Sequence, residues 1–443
     1  MAGSSLRSPI LPSRLVLRRA ALWLVFLAPF FYVSYGAANW FAARQPHVPD
    51  LAFAWESHIP FVAWTILPYW SINLFYGIAL FINDDPKQVD RLALRLLTAQ
   101  IIAVTFFIAF PLRTIFARPE THGLAGFMFD LLGGFDKPFN QAPSLHIAIV
   151  VIIWDHFRRR FPRAVRVTWH VWCLLIAISV LTTWQHHVID IPTGVMLGLF
   201  ALWLWPHDRV SPASGFRLTT DHTARRLSFY YGAGALASLA TSVVTTFFSP
   251  AGLILLWGTI ALSIVAFGYA GAGAEVFQKD SNGTVGVASR ILLLPYRAGV
   301  RLNIRAWTRG LPAAVAVQGG VQLGRFPRAQ EGGAYTSVLD LTAELPRNAS
   351  PVAWHALPSL DLLPVDPTVM KEAAALIERL RQQGPVLVCC ALGFQRSASV
   401  VAFWLVAAGL AADGAEAARI IASSGRTVKL APAALTAIAE ASQ

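Results

Sequence analysis

The chain reads as a multi-span α-helical membrane domain of about eight transmembrane helices followed by a soluble α/β domain. Three observations carry this. Of its 443 residues 55% are hydrophobic and only 14% charged, with a mean hydropathy of +0.53, a composition foreign to a set of ordinary soluble domains. Apolar stretches approaching the roughly 20 residues that a helix needs to cross a bilayer recur as far as Ala272. From about Gln278 the texture changes: "FQKDSNGTVGVASR" is polar, and the apolar runs beyond it are short.

The elements follow in order. A basic N-terminus, residues 1–19 with Arg7, Arg14, Arg18 and Arg19, precedes an apolar run from Ala20 to Ala43. That run is long for a signal-peptide core and lacks a convincing cleavage site, so it reads as a retained first span. Further spans are expected near 59–82, 93–112, 144–157, 167–186 and 190–206, which makes 20–206 a six-span domain. A linker, 207–228, leads to the apolar region from Phe229 to Ala272, which is too long for one span. "FFSPAG" around Ser249 and Pro250 breaks it into two helices. A second linker, 273–284, opens into the C-terminal domain, 285–443. There "YTSVLDLT" reads as a strand, "PTVMKEAAALIERLRQQG" as an amphipathic helix closed by glycine, and "PVLVCC" as a buried strand. "SASVVAFWLVAAGL" reads as a helix buried in the domain core, and no repeat relates the two halves.

Charge sets orientation. The net charge is +12, but the arginines cluster between apolar segments and not along one face, so topology explains them and nucleic-acid binding is not expected. "HFRRRFPRAVR", with Arg158, Arg159, Arg160, Arg163 and Arg166, and the segment with Arg209, Arg217, Arg225 and Arg226 are expected on the cytoplasmic side. With the N-terminus also inside, eight spans return the C-terminus to the cytoplasm, as in a multi-pass protein of the cell inner membrane. The three cysteines, Cys173 and the adjacent Cys389 and Cys390, cannot build a disulfide framework and fit a reducing compartment.

Cys390-Ala-Leu-Gly393-Phe-Gln-Arg396-Ser397 lies between an expected strand and an expected helix. Backbone amides of such a loop converge on an anion at the helix N-terminus, and the same potential favours a thiolate nucleophile at Cys390. Arg396 can hold two phosphate oxygens at once; Gly393 allows tight curvature; Ser397 can hydrogen-bond the sulfur. A buried strand-end cysteine with a capping arginine would account for the spacing alone. It would not account for the strand, glycine, serine and an upstream acidic loop in order. The stretch resembles the CxxGxxRS signature of protein tyrosine and dual-specificity phosphatases. "SVLDLTAE" is similar to that family's early strand and turn, and "HALPSLDLLP" to the loop carrying its general acid. The resemblance implies Asp361 as the acid that protonates the leaving oxygen, with Asp366 a weaker choice. The residue before the nucleophile, commonly histidine in that family, is Cys389.

In the first half, "RTIFARPETHG", "QAPSLHIAIV" and "TTWQHHVIDIPTG" fall on one side of the expected membrane. Histidine and aspartate at span ends are costly without function, although single histidines hydrogen-bonded to helix ends would also satisfy the pattern. His186 and Asp190 are one helical turn apart, so the carboxylate can fix the imidazole in one tautomer. That imidazole can attack phosphorus while His146 protonates the leaving alkoxide. Arg118 and Arg113 would bind phosphate oxygens and Ser144 would donate to them. Over roughly residues 55–206 the set resembles the type 2 phosphatidic acid phosphatase superfamily. Arg118-Pro119 matches its first motif, Pro143-Ser144-Leu145-His146 its second with leucine for glycine, and Ser179, His186 and Asp190 its third. Pro111 stands where the family has a lysine and Val180 where it has an arginine. The "QHHVID" form is similar to the inositol phosphorylceramide synthase branch, which transfers a phospho-headgroup to another alcohol.

Together the resemblances imply two phosphatase sites on opposite faces. One would act on a lipid or polyprenyl phosphate through a phosphohistidine outside. The other would act on a phosphomonoester of a lipid headgroup or protein through a phosphocysteine inside. The alternatives are a headgroup phosphotransferase coupled to a cytoplasmic phosphatase, and a non-catalytic phosphate-binding membrane protein. Neither chemistry calls for a cofactor or metal.

Overall fold

Helices with small residues on their contact faces can approach closely without a water-driven core, and the first half of the chain is built this way. The computed structural model describes residues 13–441 other than 247, 427, 429 and 431; Arg7 lies outside the described residues. The chain divides into two units, Met1–Arg209 and Val210–Gln443, a boundary inside the expected 207–228 linker.

In the first unit the described helices are α1 (Arg14–Ala42), α2 (Ile66–Phe81), α3 (Pro86–Ala109), α4 (Gly123–Phe135), α5 (Leu145–Arg160), α6 (Arg163–Thr182) and α7 (Asp190–Leu204). Ser13, Asp85 and Ser144 cap α1, α3 and α5 by accepting from backbone amides of the first turn. Leu92, Leu96 and Ala99 of α3, Ala148 and Ile152 of α5 and Leu197 and Ala201 of α7 share one buried core. Gly194 and Gly198 of α7 press on α5: added Cβ atoms would stand 2.5 Å from the Ser144 carbonyl oxygen and 2.7 Å from Val151 Cβ. The basic end of α5 is tied into the unit. Arg159 Nε donates to the buried Asp155 at 3.0 Å, and Arg160 donates to Ile82 O, Asn83 Oδ1 and Gln88 Oε1 at 2.8, 3.0 and 2.7 Å.

Among the described residues, five helices are long and apolar enough to cross a membrane: Arg14–Ala42, Pro86–Ala109, Arg163–Thr182, His222–Thr246 and Ala251–Phe277. They fall on five of the eight expected spans. The others form shorter helices, α2 and α5 of 16 residues and α7 of 15. The start of the 59–82 stretch is spent on a 3-10 turn at Ala63–Thr65, and α5 cannot begin before its Ser144 cap. Helix α4 falls where no element was expected.

The second unit starts with a hairpin of α8 (His222–Thr246) and α9 (Ile254–Phe267). Hydroxyls of Ser228, Ser238 and Ser242 on α8 donate to the carbonyls of Ala266, Leu255 and Gly252 at 2.9, 2.8 and 2.9 Å, a polar seam of about 0.6 kcal/mol per bond in a low-dielectric setting. Helices α10 (Val287–Leu292) and α11 (Leu294–Trp307) lead to strands β1 (Ala314–Ala316), β2 (Val321–Arg325), β3 (Ser337–Thr342), β4 (Ala353–Ser359) and β5 (Val386–Cys390). The sheet order is β1-β2-β5-β3-β4, with β1 antiparallel and the rest parallel. Helix α12 (Pro367–Arg381) crosses from β4 to β5, and α13 (Arg396–Ala407), α14 (Gly414–Ser423) and α15 (Pro432–Ala441) follow. They cover the sheet face of Leu323, Leu339 and Val388. The fully buried side chain of Lys279 donates to the Asp340 carboxylate and, at 2.7 and 3.0 Å, to Thr342 O and Oγ1. That bond ties the segment after α9 to β3.

Removing one partner of a buried pair leaves the other charge uncompensated, at a cost of about 3–5 kcal/mol. Lys279→Met should therefore lower the thermal stability of the second unit by that amount in the detergent-solubilised full chain. An unchanged unfolding midpoint would contradict the assigned role.

Candidate active sites

Strand alternation separates the two adjacent cysteines. Cys390 faces the helices, whereas Cys389 packs with Val338, Trp354 and Leu387 on the other face. Burial pushes the Cys389 thiol well above its ordinary value and the Asp340 charge adds to this, so Cys389 is an inert core thiol. The loop after Cys390 turns at Gly393, whose φ is 78°. A Cβ there would lie 2.5 Å from Arg426 Nη2 and 2.6 Å from the Gly324 carbonyl, so only glycine fits. The Gly393 amide and the Ser397 hydroxyl both donate to Cys390 Sγ, each at 3.2 Å.

Arg396 opens α13 and is 1% exposed. Glu344, just beyond β3, takes it bidentately at 3.0 and 2.7 Å, and the Ser359 carbonyl accepts at 2.9 Å. Asp361 Oδ1 lies 3.0 Å from Nη2. Burial raises the Glu344 carboxyl, but the charge of Arg396 and its hydrogen bonds outweigh that and hold it below the ordinary carboxylate range. Burial also raises Asp361; Arg396 opposes and the Glu344 charge adds, leaving it above the ordinary range. Asp366 instead caps α12, accepting from Thr368 N and Oγ1 at 2.8 and 2.6 Å. The fold thus brings Asp361, and not Asp366, to Arg396. A cavity of about 980 Å³ lies over the loop, with Cys390, Gln395, Asp361 and Arg426 among its lining. Arg426, which sequence reading passed over, braces the loop by donating to Leu392 O at 2.6 Å and Pro312 O at 2.9 Å.

In the first unit His186 Nδ1 lies 2.9 Å from Asp190 Oδ2, which also accepts from His187 N at 3.1 Å. A ring proton held on Nδ1 by the carboxylate leaves Nε2 as the acceptor, 3.4 Å from Ser144 Oγ. His146 stacks on Tyr69 with centroids 4.2 Å apart, and its Nε2 has no hydrogen-bond partner among the described residues. His146 and His186 line one cavity of about 210 Å³ with Tyr35, Asn73, Asp136 and Asn140. Neither arginine joins them. Arg118 pairs with Asp130 at 3.3 Å and lies over the Phe129 ring, and Arg113 is exposed. The segment that carries both, between α3 and α4, is neither helix nor strand, and neither arginine is among the residues that line this cavity. His187 is structural: its Nδ1 meets the buried Glu56 at 2.8 Å and its Nε2 accepts from Ile115 N at 3.2 Å.

Glu56 and Glu344 are two carboxylates to which sequence reading gave no role. Glu344 closes the quoted "SVLDLTAE", two positions past the residues read as strand, and Glu56 precedes the first residue of its expected span.

No protein-family profile matches the chain, and no curated protein matches it. Among solved structures, PTPMT1 in complex with PI(5)P is similar at 17% identity, covering 30% of this chain and 95% of that one with a TM-score of 0.27. Human DUSP28 is similar at 22% identity, covering 30% and 93%, with a TM-score of 0.25. A mouse putative dual specificity phosphatase complexed with zinc tungstate is similar at 20% identity, covering 30% and 89%, with a TM-score of 0.28.

Because the Glu344 carboxyl sits below its unfolded value, it contributes stability that is present above the unfolded carboxylate range and lost as pH falls through the folded value. Glu344→Gln should cost about 3–5 kcal/mol at neutral pH and should weaken the acid-side loss of stability. Denaturation at neutral and acidic pH measures both; a variant with the wild-type pH slope would contradict the pairing.

Proposed function

We propose that the second unit is a cysteine-dependent phosphomonoester hydrolase. The observation that carries this is the convergence of Gly393 N and Ser397 Oγ on Cys390 Sγ at 3.2 Å, with Asp361, which lines the same cavity as Cys390, paired to Arg396 at 3.0 Å. The Cys390 thiolate attacks phosphorus, with Arg396 and the loop amides taking the non-bridging oxygens. The bond from phosphorus to the substrate oxygen breaks, and Asp361 gives that oxygen its proton. Water then attacks the phosphocysteine and passes its proton to the Asp361 carboxylate. Ser397 donates to the departing thiolate, and orthophosphate leaves. An acid held above the ordinary carboxylate range is matched to this role.

For the first unit we propose a phosphohistidine reaction at His186 on a lipid or polyprenyl phosphate at the outer face, with His146 as the acid. The Asp190-His186-Ser144 line and the shared cavity support it. The phospho-headgroup transferase reading takes the same residues with an alcohol in place of water. Both readings set the chain in the cell inner membrane with eight spans and cytoplasmic termini.

Cys390→Ser should abolish phosphate release at the second site. Asp361→Asn should reduce kcat by about 10²–10⁴. In the wild type kcat should fall as pH rises through the raised Asp361 value, and that limb should vanish in Asp361→Asn; a limb that persists would remove Asp361 as the acid. For the first unit, labelled phospholipid in oriented vesicles, with and without an acceptor alcohol, should give products that depend on His186. A new lipid identifies transfer, free alcohol or phosphate identifies hydrolysis, and no difference between wild type and His186→Ala excludes both. Phosphate release should survive EDTA, and its complete loss would contradict both chemistries.

A further inference from the structure

The cavity over Cys390 is larger than a phosphate needs. At about 980 Å³ it stands at the upper end of drug-sized ligand pockets. Its floor is the cysteine loop and Asp361. Its walls come from elsewhere: Tyr231 of α8, Gly258 and Leu262 of α9, and Gly299, Val300 and Trp307 of α11. The two helical arms of that hairpin, His222–Thr246 and Ala251–Phe277, are each long and apolar enough to cross a membrane. Their outward faces leave Phe229, Leu236, Val243 and Ile254 53–70% exposed, an apolar surface that lipid would cover. Helix α11 exposes Leu294, Leu302 and Trp307 beside Arg301 and Arg305, the pattern of a helix lying in a membrane interface. The hairpin also reaches the chemistry. Tyr269, just past α9, donates its hydroxyl to the Asp361 carbonyl at 2.8 Å, and Tyr231 stacks on Tyr269 with centroids 5.4 Å apart.

Resting on the cysteine-hydrolase reading, we propose that the substrate of Cys390 is a membrane-borne phosphomonoester with a hydrophobic chain. The phosphate sits on the loop and the first part of the chain runs between α9 and α11. The α8–α9 hairpin is then one wall of the substrate site as well as an anchor. A phosphopeptide gains nothing from walls borne on bilayer-crossing helices, whereas a lipid already in that bilayer reaches the loop without leaving it.

The test uses the full-length His186→Ala protein in nanodiscs or micelles, so that only the second site reports. Probes are dihexanoyl, dioctanoyl and dioleoyl phosphatidic acid, p-nitrophenyl phosphate and a phosphotyrosyl peptide. Two buried methylenes already correspond to about a tenfold gain, so kcat/KM should rise at least about tenfold from dihexanoyl to dioleoyl. Gly299 has nothing within 4 Å of its would-be Cβ, so Gly299→Trp can fill the cavity without disturbing the core. It should flatten the chain-length dependence to about threefold or less on the same scale, while Gly299→Ala retains it. Cys390-dependent hydrolysis with no chain-length dependence, or a preference for the peptide that Gly299→Trp leaves intact, overturns the proposal while the hydrolase reading stands. No Cys390-dependent release from any probe overturns the hydrolase reading, and this proposal with it.

Discussion

A guanidinium out of reach of water must be neutralised where it lies, and the pairing of Arg396 with Glu344 is the constraint on which the second unit turns. Their side chains are 1% and 2% exposed, so neither charge is tolerable without the other. Two hydrogen bonds fix the plane of the guanidinium, and the Ser359 carbonyl takes a third direction. Arg396 therefore cannot swing, and the first turn of α13 is held against the ends of β3 and β4. Glu344 is anchored in turn, because the buried Arg297 of α11 donates to its carbonyl at 2.7 Å. One line of bonds thus runs from α11 through Glu344 and Arg396 to Asp361. The cysteine loop inherits its shape from that line and from the brace of Arg426.

The two histidine–carboxylate pairs of the first unit show how similar bonds serve different ends. His187 has both ring nitrogens committed, to Glu56 and to the Ile115 amide, so it fastens a loop. His186 has one nitrogen committed to Asp190 and the other turned toward Ser144 in a cavity it shares with His146, so it retains a lone pair for chemistry. The contact is close because Gly194 lets α7 rest on the Ser144 carbonyl. The two cavities also differ in charge. Arg426 lines the one over the cysteine loop and Arg396 pairs with its Asp361, whereas among the described residues Asp136 and no arginine lines the histidine cavity.

Much was settled by the sequence. Composition and apolar run length determined that the first half and the hairpin would be helical and apolar, since a 3.6-residue period and hydrophobicity act locally. The order strand, glycine loop, helix around Cys390 was legible because each piece has its own local signal, and spacing alone selected Cys390 over Cys389. The His186–Asp190 contact followed from one helical turn.

What tertiary structure decided are the partners distant in sequence. That Glu344 meets Arg396, that Glu56 meets His187 and that Asp361 reaches Arg396 depend on how β3, β4 and the 3-10 turns near residue 56 pack, which no local pattern encodes. Helix length was also decided there: caps at Ser144 and Asp85 and the turns before α2 shorten or shift stretches that hydropathy alone would run together. Arg113 and Arg118 sit in the expected segment, yet neither lines the histidine cavity, and Arg118 pairs instead with Asp130. The residues proposed for each site were legible in the chain; the charges that hold them in place were fixed only when distant carboxylates were brought to them.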